Sequence, residues 1–225
     1  MTASTPKTIA RDAFYSFCKN LCIGSLTVLT PARYFNVPPV EDVQRGLLIA
    51  SNHQSFLDPM LIGLALPCPI DYMARSSLFS VPGFGALIGT LGAHPVERGR
   101  IDRSGLRAIL HVLRSDRPLL MFPEGTRSDD GSLGTFKSGV GTLAVRCNVP
   151  VLPACVEGAF ESWPRHRALP RPGRAAVAYG EFIETDGLGE PEVTARMKEQ
   201  IEGMQDRLKE YLAATRPRLW PTAAR

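Results

Sequence analysis

Residues 47–58 read L-L-I-A-S-N-H-Q-S-F-L-D, an apolar run that is followed directly by polar side chains. The apolar run predicts a buried strand, and His53 and Asp58 come just after its end. Residues 119–128 repeat this arrangement as L-L-M-F-P-E-G-T-R-S, with a carboxylate and a guanidinium on either side of a glycine. Loops at the ends of buried strands carry the chemistry of α/β proteins. The two segments together therefore predict a base beside an anion-binding site.

The rest of the chain alternates between strand-like and helix-like segments. We predict strands near residues 47–51, 70–74, 118–122, 150–156 and 174–180, and helices near residues 57–66, 102–115, 139–147 and 192–214. This alternation is typical of an α/β fold with a mixed, largely parallel sheet flanked by helices. Residues 11–30 predict an N-terminal amphipathic helical segment, whose apolar side either lies in a membrane interface or packs on the domain.

The composition is that of a globular protein with a mild basic excess. Hydrophobic residues make up 44% of the 225 residues and charged residues 21%, and the net charge is +4. This charge suits an anionic membrane surface or an anionic substrate, but it is too small to indicate nucleic-acid binding. The five cysteines form no C-x-x-C pair, so we expect reduced thiols in a cytosolic setting. No apolar segment reaches the roughly 18 residues that predict a membrane-spanning helix.

His53 is the natural candidate for a general base, because its unperturbed pKa lies near 6.5, about neutral pH. A base of this kind needs a partner that fixes its tautomer, and Asp58 can supply one. Residues five apart in an unbroken helix point about 140° from each other, so His53 must precede a helix whose first turn contains Asp58. Ser55 would then cap that helix. In the alternative reading, Ser55 and Asp58 form only a capping box and His53 is a satisfied strand-end histidine.

Four sequence blocks in the same order resemble those of the lysophosphatidic acid acyltransferases, a family of glycerolipid acyltransferases. The first and third blocks are N-H-x-x-x-x-D at residues 52–58 and F-P-E-G-T-R at residues 122–127. The second block, residues 92–98, reads G-A-H-P-V-E-R and ends in Arg98, and the fourth, residues 149–154, reads V-P-V-L-P-A.

This resemblance implies an O-acyltransferase that moves a fatty acyl group from acyl-CoA or acyl carrier protein to the free hydroxyl of a lysophospholipid. The acceptor it implies is 1-acylglycerol 3-phosphate, which would give phosphatidic acid. The thioester is a co-substrate, and no metal ion or other cofactor is implied. The chain contains no G-x-S-x-G motif, so we expect direct attack by the substrate hydroxyl rather than a covalent acyl-enzyme. The alternatives are acylation of another lyso-acceptor, such as a lyso-ornithine lipid, and a non-catalytic lipid-binding protein on the same fold.

The resemblance also implies that Arg98, Glu124 and Arg127 bind the glycerol phosphate. Gly125 would let the backbone approach the substrate closely. The full predicted substrate-binding set is Arg75, Arg98, Glu124, Gly125, Thr126, Arg127 and Lys137. Arg75 stands where the family often has lysine. The alternatives are a local salt bridge between Glu124 and Arg127 and a solvated Lys137.

The resemblance implies a protein that works at the cytoplasmic side of a membrane, as a peripheral or monotopic protein. We expect an acyltransferase domain at residues 46–215, an N-terminal tail and helix at 1–45, and a C-terminal tail at 216–225. The partners would be the membrane surface, the lysophospholipid and the acyl donor, with acyl carrier protein as one form of donor. Residues 163–174 are basic and aromatic, and either contact anionic lipid headgroups or form a solvated loop.

Overall fold

The computed structural model describes residues 15–21, 24, 26, 28–43, 46–97 and 103–215. Three predictions fall on other parts of the chain. Arg98, the C-terminal tail at residues 216–225 and the first part of the N-terminal tail lie outside the described residues.

A mixed, largely parallel sheet forms the centre of the described chain, as predicted. Its strands are β1 (Ala32–Phe35), β2 (Leu47–Ser51), β3 (Asp71–Arg75), β4 (Ala93–Val96), β5 (Pro118–Met121), β6 (Val151–Glu157) and β7 (Ala175–Tyr179). The strand order is β1-β7-β6-β2-β5-β3-β4. Only the β6–β7 pair is antiparallel among these strands. The predicted strands are all present within about one residue, whereas β1 and β4 were not predicted.

The helices lie between the strands in the predicted alternation. After the N-terminal segment, the described helices are α1 (Val40–Val43), α2 (Asp58–Ala65), α3 (Ser76–Phe79), α4 (Phe84–Thr90), α5 (Arg103–Arg114), α6 (Gly139–Cys147), α7 (Ala159–Ser162) and α8 (Glu190–Ala214). The four longer predicted helices correspond to α2, α5, α6 and α8. The one-turn helices and α4 were not predicted.

Both faces of the sheet are buried. Leu48 of β2 packs on one side with residues of α5, α6 and α8, while Leu47 and Ile49 pack on the other side with α2. This double burial explains why β2 is a continuous apolar run rather than an alternating one. The predicted apolar stripe of α8 is buried at Val193, Met197, Ile201, Met204 and Leu208.

The N-terminal segment is helical at residues 15–21, 24, 26 and 28–29. Cys18 and Leu26 are buried, so this segment packs on the domain in part. Phe17, Leu21 and Val28 are exposed by 64% or more. Within the described residues, no helix has the length and apolar character needed to cross a membrane.

The topology brings the two sequence segments together. β2 lies between β5 and β6 and runs parallel to both, with Ala50 level with Met121 and Ser51 level with Ala154. The carboxyl ends of the three strands therefore meet on one side of the sheet, which we call the carboxyl edge. The segment that contains His53 leaves β2 at this edge, next to the F-P-E-G-T-R segment that leaves β5.

Candidate active site

His53 and Asp58 form a hydrogen-bonded pair at the carboxyl edge. The His53 Nδ1 to Asp58 Oδ2 distance is 2.8 Å. His53 lies in the loop after β2, and Asp58 is the first residue of α2 and is fully buried. Because a carboxylate can only accept, the proton of this bond lies on Nδ1, and Nε2 is left as an acceptor. The structure therefore places the pair as the spacing requires, with Nε2 as the ring nitrogen that can accept a proton.

The same carboxylate oxygen also organises the backbone before α2. Asp58 Oδ2 accepts hydrogen bonds from the backbone N–H groups of Gln54 (2.7 Å) and Ser55 (2.8 Å). The two readings of Asp58 are thus compatible, since one oxygen holds the histidine ring and the turn together. The prediction that Ser55 caps α2 is wrong in detail, because its hydroxyl accepts from the N–H of Leu57, which precedes the helix, at 3.1 Å.

The F-P-E-G-T-R segment fixes His53 from the other side. The His53 backbone N–H donates to Glu124 Oε1 at 2.8 Å, and its carbonyl accepts from the N–H of Ser128 at 2.7 Å. Its ring is stacked on Phe122, with the ring centroids 3.8 Å apart and the planes 13° from parallel. His53 is therefore held through its backbone, its ring face and its Nδ1.

Glu124 is buried, and its carboxylate is bonded to backbone groups. Its second oxygen, Oε2, accepts the backbone N–H of Gly134 at 3.0 Å, so each carboxylate oxygen already has a backbone donor. The side chain is 5% exposed, and burial raises the pKa of this carboxyl above its ordinary value. The alternative of a salt bridge with Arg127 is wrong, since Glu124 bonds to His53 and Gly134 instead. Glu124 thus acts on the site through the position of His53.

Arg127 places a half-buried positive charge near the His53–Asp58 pair. Its guanidinium carbon lies 3.5 Å from the ring centroid of Phe56. Its Nη1 is buried and has no hydrogen-bond partner in the described chain. Burial lowers the pKa of this guanidinium, Arg165 lowers it further, and the negative charge of Asp58 opposes both. A half-buried cation with an unused donor is suited to bind an anion.

The remaining predicted binding residues are exposed along the same edge. Gly125 has φ +69°, and a Cβ placed there would lie 2.7 Å from Lys137 Nζ, so the ammonium of Lys137 rests against this glycine. Thr126 is exposed beside them. Arg75 ends β3 and is exposed, and its charge contributes to the lowered pKa of Arg127. The structure thus brings Arg75, Arg127 and Lys137 to the edge that contains His53.

The segment after α7 borders this site, which the sequence did not predict. The Trp163 ring lies 5.1 Å from that of Phe56, centroid to centroid. Arg165 donates from Nη1 to the carbonyl of Arg127 at 3.4 Å and forms an ion pair with Asp129 at 3.0 Å. The basic and aromatic composition of residues 163–174 was the only signal in the sequence for this role.

Comparison with known proteins places the chain in a family. The Acyltransferase family profile matches residues 34–157, more than half of the chain. The chain belongs to the Acyltransferase family. The match includes both segments that build the site, the N-H-x-x-x-x-D and F-P-E-G-T-R blocks.

Relatives of this acyltransferase-family chain include bacterial and plant proteins. A 1-acyl-sn-glycerol-3-phosphate acyltransferase of Bacillus subtilis is 26% identical over 87% of this chain and 96% of its own length. A chloroplastic one of Arabidopsis thaliana is 34% identical over 68% of this chain. The chain spans less than half the length of the plant plastid relatives that it matches. The crystal structure of a 1-acyl-sn-glycerophosphate acyltransferase from Thermotoga maritima superposes with a TM-score of 0.76 and 25% identity, covering 97% of this chain and 86% of that one.

A buried polar network supports the first block of this family member. The Asn52 side chain donates to the carbonyl of Val156 at 2.8 Å and accepts from its N–H at 2.9 Å. The Gln54 side chain also donates to the Val156 carbonyl and accepts from the N–H of Phe160 at 3.0 Å. These bonds tie the end of β2 to the end of β6.

The network extends to α8 through Glu157. Gln205 of α8 donates from Nε2 to Glu157 Oε2 at 3.1 Å and, more weakly, to the carbonyl of Gly131 at 3.4 Å. Burial raises the pKa of the Glu157 carboxyl. The C-terminal helix therefore contacts both the end of β6 and the loop that follows the F-P-E-G-T-R block.

Proposed function

We propose that this protein is an O-acyltransferase that acylates the free hydroxyl of a lysophospholipid, with 1-acylglycerol 3-phosphate as acceptor and phosphatidic acid as product. The observation that carries this proposal is the 2.8 Å bond between His53 Nδ1 and Asp58 Oδ2, with the unpartnered guanidinium of Arg127 beside it. A base and an anion site at one edge are what an enzyme needs to activate a hydroxyl on a phosphate-bearing molecule. The names of the relatives support the same acceptor.

The proposed chemistry is a direct acyl transfer. The acceptor hydroxyl oxygen attacks the carbonyl carbon of the acyl thioester while Nε2 of His53 takes the hydroxyl proton. The buried carboxylate of Asp58 stabilises the resulting imidazolium. The tetrahedral intermediate then loses the thiolate as the C–S bond breaks, and the proton passes from Nε2 to the sulfur. Since a thiolate leaves readily, we infer that the thioester is the sole co-substrate and that no other cofactor takes part.

The phosphate of the acceptor would be bound by the cations of the carboxyl edge. Arg127 offers its unpartnered Nη1, the ammonium of Lys137 lies against Gly125, and Arg75 adds a further positive charge. We retain Arg98 in this set on the sequence alone. Glu124 would act by holding the His53 backbone, because both of its oxygens already accept backbone N–H groups.

We propose that the protein works as a peripheral or monotopic protein on the cytoplasmic side of a membrane, where lysophospholipid is presented. The exposed apolar side chains of the N-terminal helical segment, Phe17, Leu21 and Val28, support contact with a lipid surface. The donor would be acyl-CoA or acyl carrier protein.

The test is acyl transfer by purified protein to 1-acylglycerol 3-phosphate, with both donors in parallel. The variant is His53→Ala, and the chain offers a matched control in His94→Ala. His94 also pairs with a buried aspartate, Asp71, at 2.7 Å, but it lies on β4, three strands from β2. We expect His53→Ala to lose turnover and His94→Ala to keep it. Turnover by folded His53→Ala would refute the assignment of the base.

An acceptor panel separates the proposed acceptor from other lyso-lipids. If acceptors without phosphate, such as a lyso-ornithine lipid, are acylated as well as 1-acylglycerol 3-phosphate, the phosphate site is misassigned. Binding of lysolipid without turnover for any acceptor and donor would indicate a lipid-binding protein on this fold.

A further inference from the structure

Arg165 is a cation next to Arg127 that lies outside all four sequence blocks. Its Nη1 reaches the carbonyl of Arg127 at 3.4 Å, and its side chain is 31% exposed. After burial, its charge is the largest influence that lowers the pKa of the Arg127 guanidinium. Two adjacent cations repel each other, and an anion bound between them would relieve that repulsion.

Backbone bonds hold the segment of Arg165 against the carboxyl edge. The carbonyl of Trp163 accepts from the N–H of Phe56 at 3.2 Å and from the hydroxyl of Ser55 at 2.9 Å. The Trp163 indole N–H donates to the carbonyl of Arg167 at 3.1 Å, which closes the turn that contains Arg165. The position of Arg165 is therefore set relative to the same residues that hold His53 and Arg127.

A stack of side chains aligns Arg127 with this segment. The guanidinium of Arg127 lies on the Phe56 ring, and Phe56 contacts Trp163 on the same segment as Arg165. The Nη1 of the stacked Arg127 is buried and has no hydrogen-bond partner in the described chain. Arg165 has one ion-pair partner in the described chain, Asp129, whose side chain is 83% exposed. An exposed pair of this kind is weak and easily replaced by a stronger anion.

We propose that Arg165 and Arg127 together bind one phosphate group of a substrate, with the Phe56–Trp163 contact holding the two guanidinium groups at a common site. This inference rests on the proposed function for the identity of the substrate. The phosphate is either that of the lysophospholipid acceptor or one of those on coenzyme A. In the free protein, Asp129 forms an ion pair with Arg165, and the phosphate replaces Asp129 when it binds.

The competing explanation is that the ion pair between Arg165 and Asp129 only stabilises the loop that contains Arg165. The two explanations predict opposite behaviour for Asp129→Asn. If the ion pair is only structural, Asp129→Asn and Arg165→Gln will change phosphate binding in the same way. If Arg165 binds phosphate, Asp129→Asn will bind phosphate as well as the wild type or better, because it removes a competitor, and only Arg165→Gln will bind it less well.

The first experiment is calorimetric titration of the purified 225-residue chain with glycerol 3-phosphate, with glycerol as the phosphate-free probe. We expect Arg165→Gln to weaken binding of glycerol 3-phosphate by roughly 10- to 100-fold, the size of a lost charged hydrogen bond. The control Arg146→Gln removes an exposed arginine from the last turn of α6 and should leave binding unchanged. Equal binding by wild type and Arg165→Gln, or no saturable binding by the wild type, would overturn the proposal. Binding does not depend on turnover, so a wild type that binds but transfers no acyl group contradicts the proposed function alone.

The second experiment finds which substrate supplies the phosphate. In Arg165→Gln, KM is measured for the acceptor and for the donor, using acyl-CoA and the phosphate-free acyl-pantetheine in turn. A KM increase of roughly 10-fold or more for the acceptor, with kcat unchanged, places the lysophospholipid phosphate at Arg165. An increase for acyl-CoA but not for acyl-pantetheine places a coenzyme A phosphate there. An unchanged KM for every substrate would contradict the proposal.

Discussion

Replacement of Asp58 by asparagine separates the charge of this carboxylate from its hydrogen bonds. Oδ2 accepts from His53 Nδ1 and from the backbone N–H groups of Gln54 and Ser55, whereas Oδ1 is buried without a partner. An asparagine oxygen at the Oδ2 position can accept all three bonds, and its amide group then takes the unpartnered position. Asp58→Asn therefore keeps the turn and the orientation of the ring, and removes one negative charge.

The expected loss of rate follows from the charge alone. With charge centres about 4 Å apart and an effective dielectric constant of about 20, the attraction between carboxylate and imidazolium is about 4 kcal/mol. At about 1.4 kcal/mol per factor of ten, kcat should fall by about 10³-fold. KM for the acceptor should stay nearly constant, because Asp58 is buried and acts on the substrate through His53.

The assay is acyl transfer under saturating donor, with urea denaturation of the same preparations. Asp58→Ala serves as the comparison, because it also leaves the N–H groups of Gln54 and Ser55 without their acceptor, at about 1–3 kcal/mol each. We expect Asp58→Ala to be less stable than Asp58→Asn, and both to be nearly inactive. A folded Asp58→Asn that keeps kcat within tenfold of the wild type would refute the charge argument and leave Asp58 with the turn-forming role only.

Two more predictions concern buried carboxylates around the site. Because glutamine has one acceptor oxygen, Glu124→Gln must leave the N–H of His53 or of Gly134 facing a donor, so kcat and the free energy of unfolding should both fall, the latter by about 1–3 kcal/mol. Burial raises the pKa of Glu124 in the folded state above its unfolded value of about 4.3. The free energy of unfolding of the wild type, relative to that of Glu124→Gln, should therefore decline as the pH rises from the unfolded pKa through the folded pKa. If urea denaturation shows this difference in free energy rising over that pH range, the prediction is wrong. Gln205→Leu removes the donor to Glu157 and should lower the free energy of unfolding by about 1–3 kcal/mol, and a change below about 0.5 kcal/mol would show that this bond contributes little.

The strands predicted from the sequence are those whose burial leaves a continuous apolar run. The two strands that were missed are the edges of the sheet, β1 and β4, with four residues each. They are largely half-exposed, and β4 includes His94 and Pro95, so neither has the apolar pattern on which prediction depends. An edge strand is identified by its pairing with a neighbouring strand, and the local pattern of apolar residues does not reveal that pairing.

The same distinction separates the predicted from the unpredicted parts of the site. His53 and Asp58 are five residues apart, so helical geometry predicted that a contact between them requires His53 to precede a helix whose first turn contains Asp58. The bond from the His53 N–H to Glu124 spans 71 residues, and the bond from Ser55 to the Trp163 carbonyl spans 108. Those contacts depend on which strands are neighbours in the sheet, which no spacing in the sequence specifies.

The arrangement of Glu124 and Arg127 shows how one short motif can serve two separate purposes. Opposite charges three residues apart invite a salt-bridge interpretation, but Gly125 adopts φ +69° between them and turns the chain. Glu124 points inward and is satisfied by two backbone N–H groups, whereas Arg127 lies on Phe56 with one nitrogen unpaired. A carboxylate so occupied cannot neutralise the guanidinium. The positive charge of Arg127 therefore remains available to an anion, next to the histidine that Glu124 holds in place.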